Sequence, residues 1–429
     1  MQRALYTLIV FALLPLTPLY LWWRGRRQAE YRQHWRERFA LYPRPAYGRD
    51  DQQTIWLHAV SVGETRAAQP LVNAIRQRWP RARIVFTHMT PTGRATALAL
   101  YGDTIESMYL PYDTPGGVRR FLAKVRPQLG LIIETELWPN LLAACKQLNV
   151  PTLLVNARLS EKSANSYRRF AALSAQTLNC LQHIGAQSLE DAQRLRSLGA
   201  TRITVTGNLK FDIDVPPAQR ILGAQLRQRW GERPVLLCAS TREGEEQLIL
   251  DAWSKLGTGG TASGCPLLLI VPRHPQRFDD VASLVLAKGL HLQRRSDNCD
   301  IAKNTDVVLG DSMGEMFAYY ASADLAFIGG SLLEYGCQNL IEPCAVGTPV
   351  LIGPSTYNFT EAASAALSHG AAEQISSADA LVKRTLELFV EPQQLANLSA
   401  AGGEFIKQHQ GASARTMALV EAAYKPLPS

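Results

Sequence analysis

A chain of 429 residues is too long for one ordinary hydrophobic core and predicts two domains of roughly 200 residues each. With 46% hydrophobic and 19% charged residues it is not a disordered chain. The net charge of +8 points to an anionic partner (nucleic acid, acidic lipid or a phosphorylated substrate) without choosing among them.

The N-terminus comes first. Ala4 to Trp23, ALYTLIVFALLPLTPLYLWW, runs twenty residues without a formal charge, about one membrane span. Arg24, Arg26, Arg27, Arg32, Arg36 and Arg38 follow, a basic flank that belongs on the cytoplasmic side. A cleaved signal peptide fits poorly, because the charge lies after the apolar run and no small-x-small site follows. Pro15 and Pro18 weaken a straight spanning helix, so an interface-lying anchor stays open beside a single pass.

From Thr54 to Asp212, short β-branched runs alternate with amphipathic helical stretches. IWLHAVS, RIVFTHMT, ESMYLPYD, LGLIIETE, TLLVNARL, HIGAQS and ITVTGNL read as strands. FDIDVPPAQR, with Pro216-Pro217, breaks the pattern as a linker. The alternation restarts with PVLLCAS, PLLLIVPR, LHLQ, DVVLGD, DLAFIGG and TPVLIGP. Two helices close the chain, near Ala378–Phe389 and Gln394–Tyr424. Such alternation implies parallel, doubly wound sheets. The expected division is 1–30 for the anchor and flank, 31–213 for a first Rossmann-like domain and 214–429 for a second. Ligands of such sheets bind beyond the carboxyl ends of the strands, here in a cleft between the domains.

The polar clusters stand at those ends. Ser61-Val62-Gly63-Glu64 reads as a helix cap, with Glu64 against the helix dipole, or as a general base. A phosphate loop is excluded, since GxxxxGK is absent and a carboxylate repels phosphate. In Glu134-Thr135-Glu136 both acids share a face if the strand continues, and diverge if it stops at Glu134. Each reads as a surface ion pair or, at the end of a buried strand, as a group with a partner or a task. Lys210 in GNLKFD is a solvated lysine or a cation near departing charge. Asp212 and Asp214 are ordinary linker composition, and no metal site is expected.

In the second half, Pro272-Arg273-His274-Pro275 places an arginine fork after a buried strand, a geometry suited to phosphate. Gly314-Glu315-Met316 lies in a strand-to-helix turn, and Gly329-Gly330-Ser331 permits close backbone approach. Asn339-Leu340-Ile341-Glu342 opens a helix with Glu342 placed for a ribose diol. Each alone is an ordinary turn or cap; together they argue for a nucleotide site. The seven cysteines are scattered without a CxxC pair, so they read as free thiols of a reducing compartment, not a disulfide or zinc framework.

Taken in order, HAVSVGE, LPYDTP, ETELWPN, NARLS, GNLKFD, PRHP, GDSMGE, GGS and NLIEP resemble the bacterial 3-deoxy-D-manno-octulosonic acid (Kdo) transferases over essentially the whole chain. The resemblance implies a GT-B glycosyltransferase fold, two Rossmann-like domains facing a cleft, with an N-terminal anchor at the cytoplasmic face of the inner membrane. It implies inverting transfer of Kdo from CMP-Kdo to the lipid A precursor, without a catalytic metal or other cofactor. It further implies Glu64 as general base, assisted by Glu134 and Lys210. CMP would be held by Pro272, Arg273, Gly314, Glu315, Met316, Asn339, Leu340, Ile341 and Glu342. One residue departs from the family pattern: Cys337, in Gly336-Cys337-Gln338-Asn339, stands where a second glycine is common.

Two rivals are a different GT-B enzyme, such as a nucleotide-sugar epimerase, and a membrane-tethered bilobed receptor. The first would not need SVGE with ETELWPN; the second usually works outside the cytoplasm. A nucleic-acid binder is disfavoured, because the basic residues are dispersed without an aromatic-basic motif.

Overall fold

A computed structural model describes residues 2–42, 53–256 and 265–424. It divides into two compact units, one built from residues up to Asp212 together with those from Gln410 onward, the other from Ile213–His409.

The first unit holds β1 (Thr54–His58), β2 (Arg83–His88), β3 (Glu106–Tyr109), β4 (Leu129–Ile133), β5 (Thr152–Ala157), β6 (His183–Ala186) and β7 (Ile203–Val205), ordered β3-β2-β1-β4-β5-β6-β7. The second holds β8 (Val235–Thr241), β9 (Leu267–Pro272), β10 (Leu292–Arg294), β11 (Val307–Leu309), β12 (Leu325–Ile328), β13 (Val350–Ile352) and β14 (Glu373–Gln374), ordered β10-β11-β9-β8-β12-β13-β14. Neighbouring strands pair in parallel in both sheets. The sequence pattern missed β14, a two-residue edge strand too short to show a period.

Burial on both faces explains why the central strands read as continuous apolar runs. In β1, Ile55 and Leu57 join one core with Phe86 and Leu131, while Trp56 joins the other with Val85, Ile132 and Leu154. Trp56 is wholly buried, and its indole N–H donates to the Thr87 hydroxyl at 2.8 Å, so the large ring leaves no unpaired donor. A second-unit core gathers Leu236, Cys238, Leu268, Ile270, Leu309 and Phe327.

Two expectations need correction. The C-terminal residues do not all belong to the second unit. Helix Ala412–Ala423 packs Val420 and Tyr424 into the first-unit core, and Tyr424 meets the Trp79 ring edge-on at 4.7 Å. The single closing helix after residue 394 is two, Pro392–His409 and Ala412–Ala423, broken at Gly411 with φ 89°. Asp212 accepts the Gly411 N–H at 2.6 Å and the Ser413 N–H, capping the returning helix. Within the basic flank, Arg38 is buried, stacked 3.7 Å over Tyr109, and donates to the Met89 carbonyl.

At the N-terminus, helices Gln2–Leu13 and Thr17–Arg24 are joined by a 3-10 turn at Leu14–Leu16, where Pro15 interrupts the α-helical ladder. Residues Gln2–Arg24 are long and apolar enough to cross a membrane. Leu5, Leu8, Ile9, Phe11, Leu19, Trp22 and Trp23 stay exposed.

Candidate active site

In the first unit, β1 runs out at His58 and the chain turns into helix Val62–Ala67. Ser61 caps that helix, its hydroxyl oxygen accepting the Glu64 N–H at 3.3 Å. Glu64 reaches back: one oxygen takes the Ser61 hydroxyl proton at 2.7 Å and the other the Val60 N–H at 2.6 Å. The capping reading is therefore realised, and it fixes the rotamer of the carboxylate. Burial pushes the Glu64 carboxyl up, opposed by the Ser61 and Val60 bonds and reinforced by Glu134.

The strand before ETELWPN stops at Ile133, and Glu134 turns into the left-handed region with φ 60°, so the two glutamates do not share a strand face. The Glu134 N–H still bonds the Val155 carbonyl at 3.0 Å, and the Thr135 hydroxyl binds the Arg158 carbonyl. Tertiary proximity nonetheless draws the acids together. Glu136 is pushed up to about 7 by burial first, then by Glu64 and Glu134. A carboxyl raised that far exchanges its proton near neutral pH.

Lys210 joins this set. Asn156 accepts the Leu209 N–H at 2.9 Å and Asn208 accepts the Lys210 N–H at 3.0 Å, which fixes the turn Leu209–Phe211. The Lys210 Nζ lies 3.6 Å from Glu134 Oε1. Glu64, Glu134 and Lys210 are thus brought together, with Glu136 as a fourth member.

In the second unit, Arg273 follows Pro272 at the end of β9. Its N–H bonds the Thr241 carbonyl at 3.0 Å and its Nε approaches Gln338 Oε1 at 3.3 Å. That contact links it to the run Asn339–Glu342. Asn339 Oδ1 accepts the Ile341 N–H at 3.0 Å, starting helix Ile341–Val346, with Glu342 in its first turn beside buried Tyr320. Leu340 and Ile341 bury their side chains, so only their backbone can address a ligand. The Gly314–Met316 turn follows β11, which borders β9. Gly314 has φ 80°, and Glu315 is engaged by the Ser312 hydroxyl at 2.6 Å and by Arg295 at 3.2 Å. The contacts of the Glu315 side chain are thus to its own turn and Arg295.

Sequence reasoning passed over Ser240-Thr241-Arg242-Glu243-Gly244-Glu245-Glu246 at the end of β8. Arg242 lies 2.9 Å from His274 Nε2 and 4.8 Å over the Tyr335 ring. Burial, then Arg242, Arg273 and Arg277, hold His274 below its ordinary value, so its Nε2 accepts from Arg242. Glu245 is wholly buried and accepts three backbone N–H groups: Arg242 at 2.8 Å, Gly330 at 2.6 Å and Leu332 at 2.9 Å. It ties the β8 turn to the Gly329–Ser331 loop. A Cβ on Gly329 would sit 2.6 Å from the Ser240 carbonyl oxygen, so only glycine fits that approach. A polar cluster after a central apolar strand was the available signal.

Comparison with known proteins agrees with this reading. A family model described as 3-deoxy-D-manno-octulosonic-acid transferase matches residues 33–213, and one described as glycosyl transferases group 1 matches 280–405. The 3-deoxy-D-manno-octulosonic acid transferase of Bordetella pertussis is 42% identical, with 98% of this chain and 99% of that protein covered. That of Haemophilus influenzae is 36% identical, with 98% of each covered. Among solved structures, UDP-GlcNAc 2-epimerase from Neisseria meningitidis aligns with a TM-score of 0.56 at 15% identity, covering 86% of this chain and 99% of that one. That likeness shows a shared GT-B fold and no more. Strand order, strand-end residues and near full-length identity converge, and the chain belongs to the Kdo transferases, a family of glycosyltransferase enzymes.

Proposed function

We propose that the chain moves Kdo from CMP-Kdo to the lipid A precursor with inversion, and that Glu64 is the general base. The observation that carries this is the half-buried glutamate cluster at the ends of β1 and β4, in which Glu64 is raised and held in one rotamer. A sugar hydroxyl is a poor nucleophile at neutral pH, and a carboxylate raised toward neutrality is the better base for it. The hydroxyl oxygen bonds to the anomeric carbon while its proton passes to Glu64. The bond from that carbon to the phosphate oxygen breaks, and CMP leaves with the electron pair. Glu134 and Lys210 stabilise the charge redistributed in the transition state. Pro272, Arg273, the Gly314–Met316 turn and Asn339–Glu342 hold CMP, with the Arg273 fork on the phosphate. The apolar segment Gln2–Arg24 and the arginines after it hold the enzyme on the cytoplasmic face of the inner membrane.

The test incubates purified full-length protein in detergent with CMP-Kdo and tetraacyl lipid A precursor, and reads products by mass spectrometry. Glu64→Gln runs beside the parent, with CMP binding followed by calorimetry. Addition of Kdo by the parent, and none by a variant that still binds CMP, is the expected result. A fully active Glu64→Gln enzyme would remove the base assignment; an inactive parent would remove the reaction.

A further inference from the structure

The motif LPYDTP is the one family signature given no task above, and the structure assigns it one. We propose that Tyr112, Asp113 and Asn140 form the seat of the N-terminal helices, and that through this seat the anchor positions the Glu134–Trp138 loop. The inference rests on the proposed role of that loop in the reaction.

The helix that follows the loop, Pro139–Gln147, begins at Trp138, which offers no capping side chain. Its first free N–H groups are satisfied from elsewhere in the chain. Asp113 Oδ2 accepts the Asn140 N–H at 2.9 Å, and Oδ1 the Leu141 N–H at 2.8 Å. Asn140 Nδ2 returns a bond to the Asp113 carbonyl at 2.7 Å. Both residues are buried. Asp113 therefore fixes where the loop ends.

The same residues receive the anchor. The Tyr6 side chain lies beside the Asp113 carboxylate. The Thr7 hydroxyl lies 3.0 Å from Asn140 Oδ1 and 2.8 Å from the Arg3 carbonyl, one proton serving two acceptors. Farther along, Thr17 lies beside Tyr112. The less exposed positions of residues 2–24 are 3, 6, 7, 10, 14, 17, 18, 21 and 24, a helical stripe along the whole segment. That inner stripe holds Tyr6, Thr7 and Thr17 together with Val10, Leu14 and Leu21, whereas Leu5, Leu8, Ile9, Leu19 and Trp23 are exposed. A helix meeting lipid on every side would have no reason to place three hydroxyl groups on its covered side. The anchor docks on the first unit by this stripe and meets lipid by its outer face. Tyr112, Asp113 and Asn140 are positioning residues that link membrane seating to the glutamate loop.

The test compares the full-length parent with a Tyr6→Phe, Thr7→Val double variant, which keeps the anchor apolar. Both are placed in vesicles of phosphatidylethanolamine and phosphatidylglycerol. Hydrogen exchange of the Asn140 and Leu141 amides is expected to speed about tenfold. Turnover number should fall about tenfold, with KM for CMP-Kdo, vesicle binding and melting temperature unchanged. A Tyr6→Phe, Thr7→Ser variant, which restores the hydroxyl at position 7, should recover part of both losses. Unchanged exchange at Asn140 and Leu141 overturns the link, and faster exchange with unchanged turnover overturns positioning. A parent that transfers no Kdo would count against the reaction itself, while the exchange measurement would still decide the link.

Discussion

The two units share an architecture and oppose each other in charge. At its strand ends the first gathers Glu64, Glu134 and Glu136 around one ammonium, Lys210. The second gathers Arg242, Arg273 and Arg277 around a histidine. Burial and like charge raise the Glu64 and Glu136 carboxyls; burial and crowded cations depress a histidine and favour an anion. One sheet topology has been given two chemistries by what stands after its strands, and fold alone assigns neither.

The largest effect expected is at Glu64. Replacement by Gln should lower turnover by about 10²–10⁴-fold, the usual worth of a positioned base. CMP affinity should stay at the parent value. A comparable loss of CMP affinity would erase the contrast between the units.

Next comes acid stability, where the first unit should be the weaker. His58 is held down to about 3, by burial first and then by His88; His88 is held down to about 4 by burial first. Their folded values lie below the unfolded value near 6.5. Stability is therefore full above that value and is lost as pH falls towards the folded ones, by up to about 1.4 kcal/mol per pH unit for each histidine. Urea melts at stepped pH should show this slope, and His58→Gln should flatten it. A slope unaffected by His58→Gln would show that this histidine does not set it.

Arg273→Met should weaken CMP-Kdo binding by about 10–100-fold, the usual worth of a charge-assisted hydrogen bond, with turnover at saturation changed less. Steady-state kinetics with the donor varied would separate the two. A fall in turnover alone would move Arg273 from donor holding to chemistry.

A smaller effect is expected at Glu136. Replacing it by Gln removes the carboxyl that burial, Glu64 and Glu134 push up to about 7. An inflection of the rate profile near that pH should disappear, while the fall in rate at lower pH stays. An inflection that persists in the variant would show that Glu136 does not set it.

The smallest is at Cys337, which takes φ 68° where the family commonly has glycine. Cys337→Gly relieves the left-handed strain but empties a buried side chain, so stability should change by no more than about 1 kcal/mol. Calorimetric melting would check it; a large loss would mean that the thiol fills a space the loop cannot close.

Among the described residues thirteen of fourteen strands were legible, the central ones because strands buried on both faces leave apolar runs that need no partner to be seen. Glu64, Glu134, Lys210 and Arg273 were legible as candidates because each follows such a run. Glu136 was not assignable, since its orientation depended on whether β4 stopped at Ile133. The hydrogen-bonding partners of Glu245 and Asp113 lie far from them in the chain. Glu245 binds amides 85 and 87 residues away, and Asp113 binds amides 27 and 28 residues away.

The sequence by itself determined the alternating α/β order, the apolar N-terminus, the linker after Asp212 and the polar residues at strand ends. These are local properties: period, length, turn chemistry and charge. Only the tertiary structure decided that the last helix returns to the first unit, that Glu136 joins Glu64, and that Asp113 caps the helix after the glutamate loop. Each depends on hydrogen bonds or electrostatic contact between residues distant in the chain, and no local pattern records which distant groups folding brings within reach.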